Sequence, residues 1–181
     1  RDDRAGMVRG VALIGSVVSF LVTLPLISGF NTKTASLQFV EKVQWIDRFN
    51  VNYHLGVDGL SVWFVLLTAL ITVIVVISAW EVITDRVAQY MGAFLILSGL
   101  MVGVFSAVDG LLFYVFFEAT LIPMYIIIGI WGGPRRVYAA FKFFLYTLLG
   151  SLLMLVALVD AHFKSGGSFD ILTWHKLPLA L

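Results

Sequence analysis

Two ionisable side chains stand inside otherwise apolar runs, and they are where this sequence offers chemistry. Glu118 lies in Leu-Leu-Phe-Tyr-Val-Phe-Phe-Glu-Ala-Thr-Leu-Ile-Pro (111–123), with apolar or aromatic neighbours on every flank but Thr120. A charged side chain at the centre of a membrane helix costs about 2.5–3.5 kcal/mol on insertion scales, so it is seldom retained without a use. From Leu111 the carboxyl is about seven residues inside, roughly 10 Å at about 1.5 Å per residue, too deep for a short side chain to reach the interface. Taking a carboxyl out of water favours its neutral form, the condition for an acid that takes up and releases a proton near neutral pH. The competing reading is an acid kept permanently protonated and hydrogen-bonded to a neighbouring helix. Pro123 has no N–H for the carbonyl of Ala119 and its ring pushes that turn apart. The freed carbonyl would give water a place beside Glu118, although proline also serves as a simple kink in membrane helices. Tyr114, one turn before Glu118, is spaced either to donate a hydrogen bond to the carboxylate or to pack.

Lys142 is the second such charge. It stands about four residues into its helix, where a long stem can carry the ammonium back to the interface, so a functional role and snorkelling both fit its position. Counted from the loop the two helices share, Glu118 lies about 13 residues in and Lys142 about four, a depth difference on the order of 13 Å. A direct ion pair is therefore not expected, and communication between them would run through water or a third residue. The remaining polar residues read as structural. His54, His162 and His175 are expected in loops without metal-ligand spacing. Asp58 and Asp109 each precede Gly at a helix start and read as caps, while Asp85, Arg86, Arg135 and Arg136 read as loop charges. No phosphate-cradling glycine loop, nucleophile elbow or catalytic triad pattern is visible.

The elements that must hold Glu118 and Lys142 follow from composition. The chain has 181 residues, 60% hydrophobic and 13% charged, with a mean hydropathy of +0.99, whereas a soluble domain carries about 25% charged residues. The expectation is an all-α, polytopic transmembrane bundle. Hydrocarbon about 30 Å thick needs about 20 apolar residues of helix, and five runs qualify: Val8–Ser28, Gly59–Trp80, Ala88–Ala107, Leu111–Trp131 and Tyr138–Asp160. Residues 29–58 form a polar external loop carrying Trp45 and Tyr53 where interfacial aromatics would sit. The other connections are short, which forces adjacent helices to run antiparallel. Arg1, Arg4, Arg9, Arg86, Arg135 and Arg136 then fall on one side, close to helix ends, and Lys33, Lys42, Arg48, Lys164 and Lys176 on the other. The denser set marks the cytoplasmic side, or the matrix side in a mitochondrion. Gly99 and Gly103, with Thr147, Gly150 and Ser151, are small or hydroxyl-bearing residues suited to helix–helix contact.

A formal charge of +1 leaves no basic excess for nucleic acid, so lipid and other membrane helices are the expected partners. Zero cysteines remove iron–sulfur clusters, thiolate zinc sites and redox thiols from this chain. The start at Arg1-Asp2-Asp3-Arg4 and the stop at Pro178-Leu179-Ala180-Leu181 suggest an internal segment of a longer chain.

Three strings in order, NYHLGVDGLSVWFVLLT (52–68), VFFEATLIPMYIIIGIWGG (115–133) and AAFKFFLYTLLGSLLMLVAL (139–158), make the sequence from Asn52 onward resemble one family. It is the M-subunit (chain 4) family of proton-translocating NADH:quinone oxidoreductases, the respiratory complex I of bacteria and mitochondria. The resemblance implies an antiporter-like fold of inverted repeats with roughly fourteen helices, of which this chain covers about helices 2 to 6. It implies that Glu118 belongs to a charge relay coupled to a Lys on a later broken helix, with Lys142 on the same polar path and Tyr114 and Pro123 supporting. It implies no cofactor or metal in this chain, with NADH, FMN, iron–sulfur clusters and quinone in other subunits. The implied partners are other membrane-arm subunits, further antiporter-like subunits included, and lipid. The implied location is the bacterial inner membrane, or alternatively the mitochondrial one, as a multi-pass protein. The activity implied is redox-coupled proton translocation by a subunit that does no redox chemistry itself. Two other readings remain at this stage: a subunit of a multisubunit sodium/proton antiporter, and a structural membrane-arm subunit in which Glu118 only packs.

Overall fold

The computed structural model describes residues 4–178. Arg1, Asp2 and Asp3, and the segment 179–181, on which the orientation and the internal-segment expectation partly rest, lie outside the described residues. Five long helices occupy the five apolar runs: α1 (Ala5–Ser28), α2 (Ser61–Val82), α3 (Val87–Ser106), α4 (Gly110–Trp131) and α5 (Arg136–Lys164). All five are long and apolar enough to cross a membrane. Their ends follow local chemistry. The Asp58 side chain accepts the N–H groups of Leu60 and Ser61 at the start of α2, and these bonds, Ser61 foremost, hold its carboxyl below the ordinary carboxylate range. Gly132 ends α4, where a side chain would run into the carbonyl of Ile128. Gly133-Pro134 then separates α4 from α5.

The helices weave antiparallel. In membranes, close packing rather than the hydrophobic effect holds helices together, so small residues at contacts matter most. Ala12 of α1, Val76 and Ala79 of α2, and Val87 and Met91 of α3 make one buried cluster. Phe64 stacks on Phe105 to join α2 to α3, with ring centroids 5.0 Å apart. Of the expected small-residue pair, Gly103 is buried against the ring of Phe116 on α4, where an added Cβ would sit 2.7 Å from a ring carbon; Gly99 opens onto free space. Tyr125 of α4 meets Phe141 and Phe144 of α5 edge-on. The outer face of α5 is bare, with Tyr146 81% and Leu153 68% exposed.

The segment 29–58, expected as a polar loop, contains a β-hairpin instead. Strands β1 (Gln38–Ile46) and β2 (Val51–Val57) pair antiparallel, with Val43 opposite Tyr53 and Ile46 opposite Val51. The turn between them is a 3-10 turn, Asp47–Phe49, closed by Asn50 in the left-handed conformation. Phe39, at a φ of 53°, sits within the register shift between Gln38 and Glu41. The strands are hard to read because β1 faces outward along its length, with Phe39, Val40, Val43 and Trp45 exposed beside its charged residues, while β2 buries Val51, His54 and Val57 against the protein. The buried positions of β2 fall at 51, 54, 56 and 57 rather than at every second residue, so they leave no strand alternation in the sequence.

Three further expectations change. His54 lies in β2 and is 7% exposed, and burial, followed by the nearby Lys42 charge, pushes its imidazole down from the ordinary value. His162 lies in the last turn of α5, which runs on to Lys164 rather than ending near Asp160, and stacks on Phe169 with ring centroids 4.0 Å apart. After α5 a turn through Gly166 and Gly167, both at positive φ, leads to a one-turn helix, α6 (Ile171–Trp174).

On one side of the bundle the hairpin, the α3–α4 link and the segment after α5 meet in a backbone junction. Val108 N–H donates to the His54 carbonyl at 2.9 Å, Gly110 N–H to Phe169 at 2.7 Å, and Ile171 N–H to Val108 at 3.0 Å. On the opposite side, Arg9 donates to the Ile83 carbonyl at 2.7 Å and the Trp131 indole to that of Asp85 at 2.9 Å.

Candidate functional site

Glu118 is positioned by α4, whose register is set at its first turn. Asp109 is the N-cap: its Oδ1 accepts from Leu111 N–H at 3.0 Å and Leu112 N–H at 3.1 Å. The helix then runs without Gly or Pro to Glu118, two and a half turns on at about 3.6 residues per turn. The Glu118 side chain is half-buried, but its Oε1 is fully covered and has no hydrogen-bond partner among the described residues. An uncompensated buried carboxyl oxygen is costly, and a few per domain at most are expected in native structures.

Tyr114 lies on the same face of α4, beside both Glu118 and Ser151 of α5. Ser151 is 3% exposed and its hydroxyl donates to the Leu148 carbonyl at 2.9 Å. The acid therefore looks toward the α4–α5 interface, where one phenol and one serine hydroxyl are the near polar groups. Thr120 turns its hydroxyl back to the Phe117 carbonyl at 2.6 Å and so adds no polar group to Glu118. Pro123 is buried within α4, one turn past Ala119, whose carbonyl it leaves without the usual helical donor.

Lys142 takes a separate place. It is exposed on the bare face of α5, with its Nζ 5.8 Å from the centre of the Tyr138 ring. No ion pair joins it to Glu118 among the described residues. Lys142 thus stands with Tyr138 and Tyr146 in a shallow groove, while Glu118 stands with Tyr114 inside the helix pair. Among the described residues no group of three or more His, Cys, Asp and Glu side chains is placed to hold a metal ion.

Residues 10–106, more than half of the chain, match the family model described as NADH-ubiquinone oxidoreductase chain 4, amino terminus. The chain belongs to that family. Residues 107–177, which hold Glu118 and Lys142, match the model described as NADH:quinone oxidoreductase/Mrp antiporter, TM. Among curated relatives, NADH-quinone oxidoreductase subunit M of Rhodobacter capsulatus is 56% identical over 163 residues, covering 90% of this chain and 31% of the relative. NADH-ubiquinone oxidoreductase chain 4 of Arabidopsis thaliana is 45% identical over 166 residues, covering 91% of this chain and 34% of the relative. The chain 4 segment described here thus spans about a third of the length of the curated relatives it matches. Among solved structures, a chain of respiratory complex I from Thermus thermophilus with bound NADH superposes with a TM-score of 0.84 at 32% identity, over 99% of this chain and 38% of that one. A chain of the Mrp complex from Dietzia sp. superposes at 0.79 with 20% identity, over 91% of this chain and 18% of that one, which shows a shared fold. The expected antiporter-like membrane bundle is therefore observed, and a chain 4 protein of this kind is a multi-pass protein of the bacterial or mitochondrial inner membrane.

Asp109 is the residue whose full part the sequence did not reveal. Its capping role is written in the Asp-Gly step at a helix start, but its Oδ2 also accepts the N–H of Asn52 at 3.1 Å, from a residue 57 positions earlier. Nothing local in the sequence signals that bond.

Proposed function

We propose that this chain is part of a membrane subunit of NADH:quinone oxidoreductase that takes part in redox-coupled proton translocation, with Glu118 as the acid that takes up and releases the proton. The observation that carries the reading is the buried Oε1 of Glu118 within α4, unpartnered among the described residues. A cation brought near any carboxylic acid favours its ionised form, and withdrawing the cation favours the neutral one. Tyr114 stands near enough to orient the carboxyl, and the carbonyl freed by Pro123 offers a water its anchor. Lys142 serves the same path as the cation on α5, reaching Glu118 through water, while a second cation comes from the part of the subunit outside this chain. NADH oxidation and quinone reduction belong to other subunits, and this chain changes proton affinity without redox chemistry of its own.

Glu118→Gln in the full-length subunit keeps the shape of the side chain and removes its ability to carry a proton. The expected result is an assembled complex with proton translocation, and the NADH oxidation tightly coupled to it, reduced to background. Wild-type pumping by that variant would remove Glu118 from the mechanism. A sodium-dependent pH gradient in vesicles given no NADH would instead assign the chain to a sodium/proton antiporter.

A further inference from the structure

We infer that Asp109 is a positioning residue for Glu118: its carboxylate straps the β-hairpin to the first turn of α4 and so sets the height and tilt of the helix that holds the acid. The inference rests on Glu118 acting as the proton carrier. It starts from an excess. A helix N-cap is served equally by Asp, Asn or Ser, so capping alone gives no reason for a carboxylate that is 2% exposed and carries the cost of losing water. The second oxygen supplies the reason. While Oδ1 accepts the N–H groups of Leu111 and Leu112, Oδ2 accepts that of Asn52 on β2. One side chain thereby ties a strand outside the spans to the end of a span.

The same turn is pinned from its other side. Gly110 N–H donates to Phe169, and the Trp174 ring lies so close over Gly110 that no Cβ fits there. That ring cannot retreat freely, because its indole N–H is bonded to the Ser168 carbonyl at 2.9 Å. Between Asp109 and Glu118 there are nine residues of rise, roughly 13 Å at about 1.5 Å each, with no proline, so the helix passes a shift at its cap on to the carboxyl as a rod. Pro123, beyond Glu118, is the first break. Movement of the hairpin is thus converted into movement of the acid against Tyr114 and Ser151.

The test uses the full-length subunit in the assembled, membrane-bound complex, with assembly followed by native gel and by NADH oxidation with a water-soluble electron acceptor. Asp109→Asn and Asp109→Ser keep a capping oxygen for Leu111 and Leu112 but lose the charged acceptor for Asn52. Asn52→Pro deletes the donated N–H and leaves the cap untouched. The expected result is normal assembly in all three and a rate of proton translocation, and of the quinone-linked NADH oxidation coupled to it, lower on the order of tenfold, within the roughly hundredfold that a misplacement of about 1 Å can cost. A residue that only caps would leave Asp109→Ser at wild type. Wild-type rates of proton translocation in Asp109→Asn and Asn52→Pro beside an inactive Glu118→Gln overturn the strap while leaving the acid's role intact. Failure of all three variants to assemble also overturns it, since the junction would then serve folding alone. An active Glu118→Gln counts against the underlying role of the acid instead.

Discussion

At the scale of single residues, the energetics of Glu118 depend on which polar groups it can reach. Its Oε1 has no partner among the described residues, and Tyr114 is the side chain beside it on the same helix face. A neutral hydrogen bond contributes about 1 kcal/mol net, roughly fivefold in a rate it controls. Tyr114→Phe is therefore expected to slow proton translocation about fivefold without stopping it, measured as the initial rate of acidification in vesicles at constant NADH. An unchanged rate would reduce the phenol to a packing group. Asp109 shows the opposite economy at a residue already well supplied. Burial pushes its carboxyl up, and the N–H groups of Asn52, Leu112 and Leu111 draw it back down. Glu118 has no comparable set of backbone donors, and its Oε1 is covered without a partner among the described residues.

At the scale of elements, α4 is held at its capped first turn and by its contacts with α3 and α5. At the α3 contact Gly103 lets the Phe116 ring approach the α3 backbone, and an added Cβ would meet three ring carbons at 2.7 to 2.9 Å. Gly103→Ala should force the helices apart at a cost of about 1–3 kcal/mol, as overpacking does. A lower midpoint of thermal aggregation of the detergent-solubilised complex would register it. Gly150→Ala on α5, where the Cβ would meet nothing within 4 Å, is the matched control and is expected to leave that midpoint in place. Equal effects from the two substitutions would mean that the α3–α4 contact is not what the close approach secures.

At the scale of the molecule, the antiparallel weave places the hairpin and the segment after α5 on one side of the membrane and the arginine-rich links on the other. These 181 residues contain no cysteine, so a thiol introduced among them reports sidedness as the labelling gained by the subunit over its unsubstituted parent. Val43→Cys, on the exposed strand β1, should react with a membrane-impermeant maleimide added outside intact cells. Arg136→Cys should react only in inverted vesicles, following the positive-inside bias. The reverse pattern would invert the orientation of the whole chain. The bare outer face of α5, with Lys142 among Tyr138, Tyr146 and Leu149, belongs to this scale too: a lysine there has a costly neighbour in lipid, and its role depends on what covers that face in the full subunit.

What the sequence determined by itself was the class of solvent, the number of spans and the exceptional acid. Each of these is a one-dimensional property: an apolar run of bilayer length, a short link that forces a reversal, a Glu where hydrocarbon should be. The three strings around Asn52, Glu118 and Lys142 carried the family in the same way. The hairpin escaped because its outward strand exposes apolar and charged residues alike, so no alternation marks a buried face. The positions of His54 and His162 escaped with it, one in a buried strand and the other stacked under Phe169. Only the tertiary structure decided which polar groups meet. It put Tyr114 beside both Glu118 and Ser151, left Lys142 on the exposed face of α5, and joined Asp109 to Asn52 across 57 residues. Local pattern fixes what each helix is, but contacts between distant segments are set by how the helices pack, and that information is not carried by any single stretch of chain.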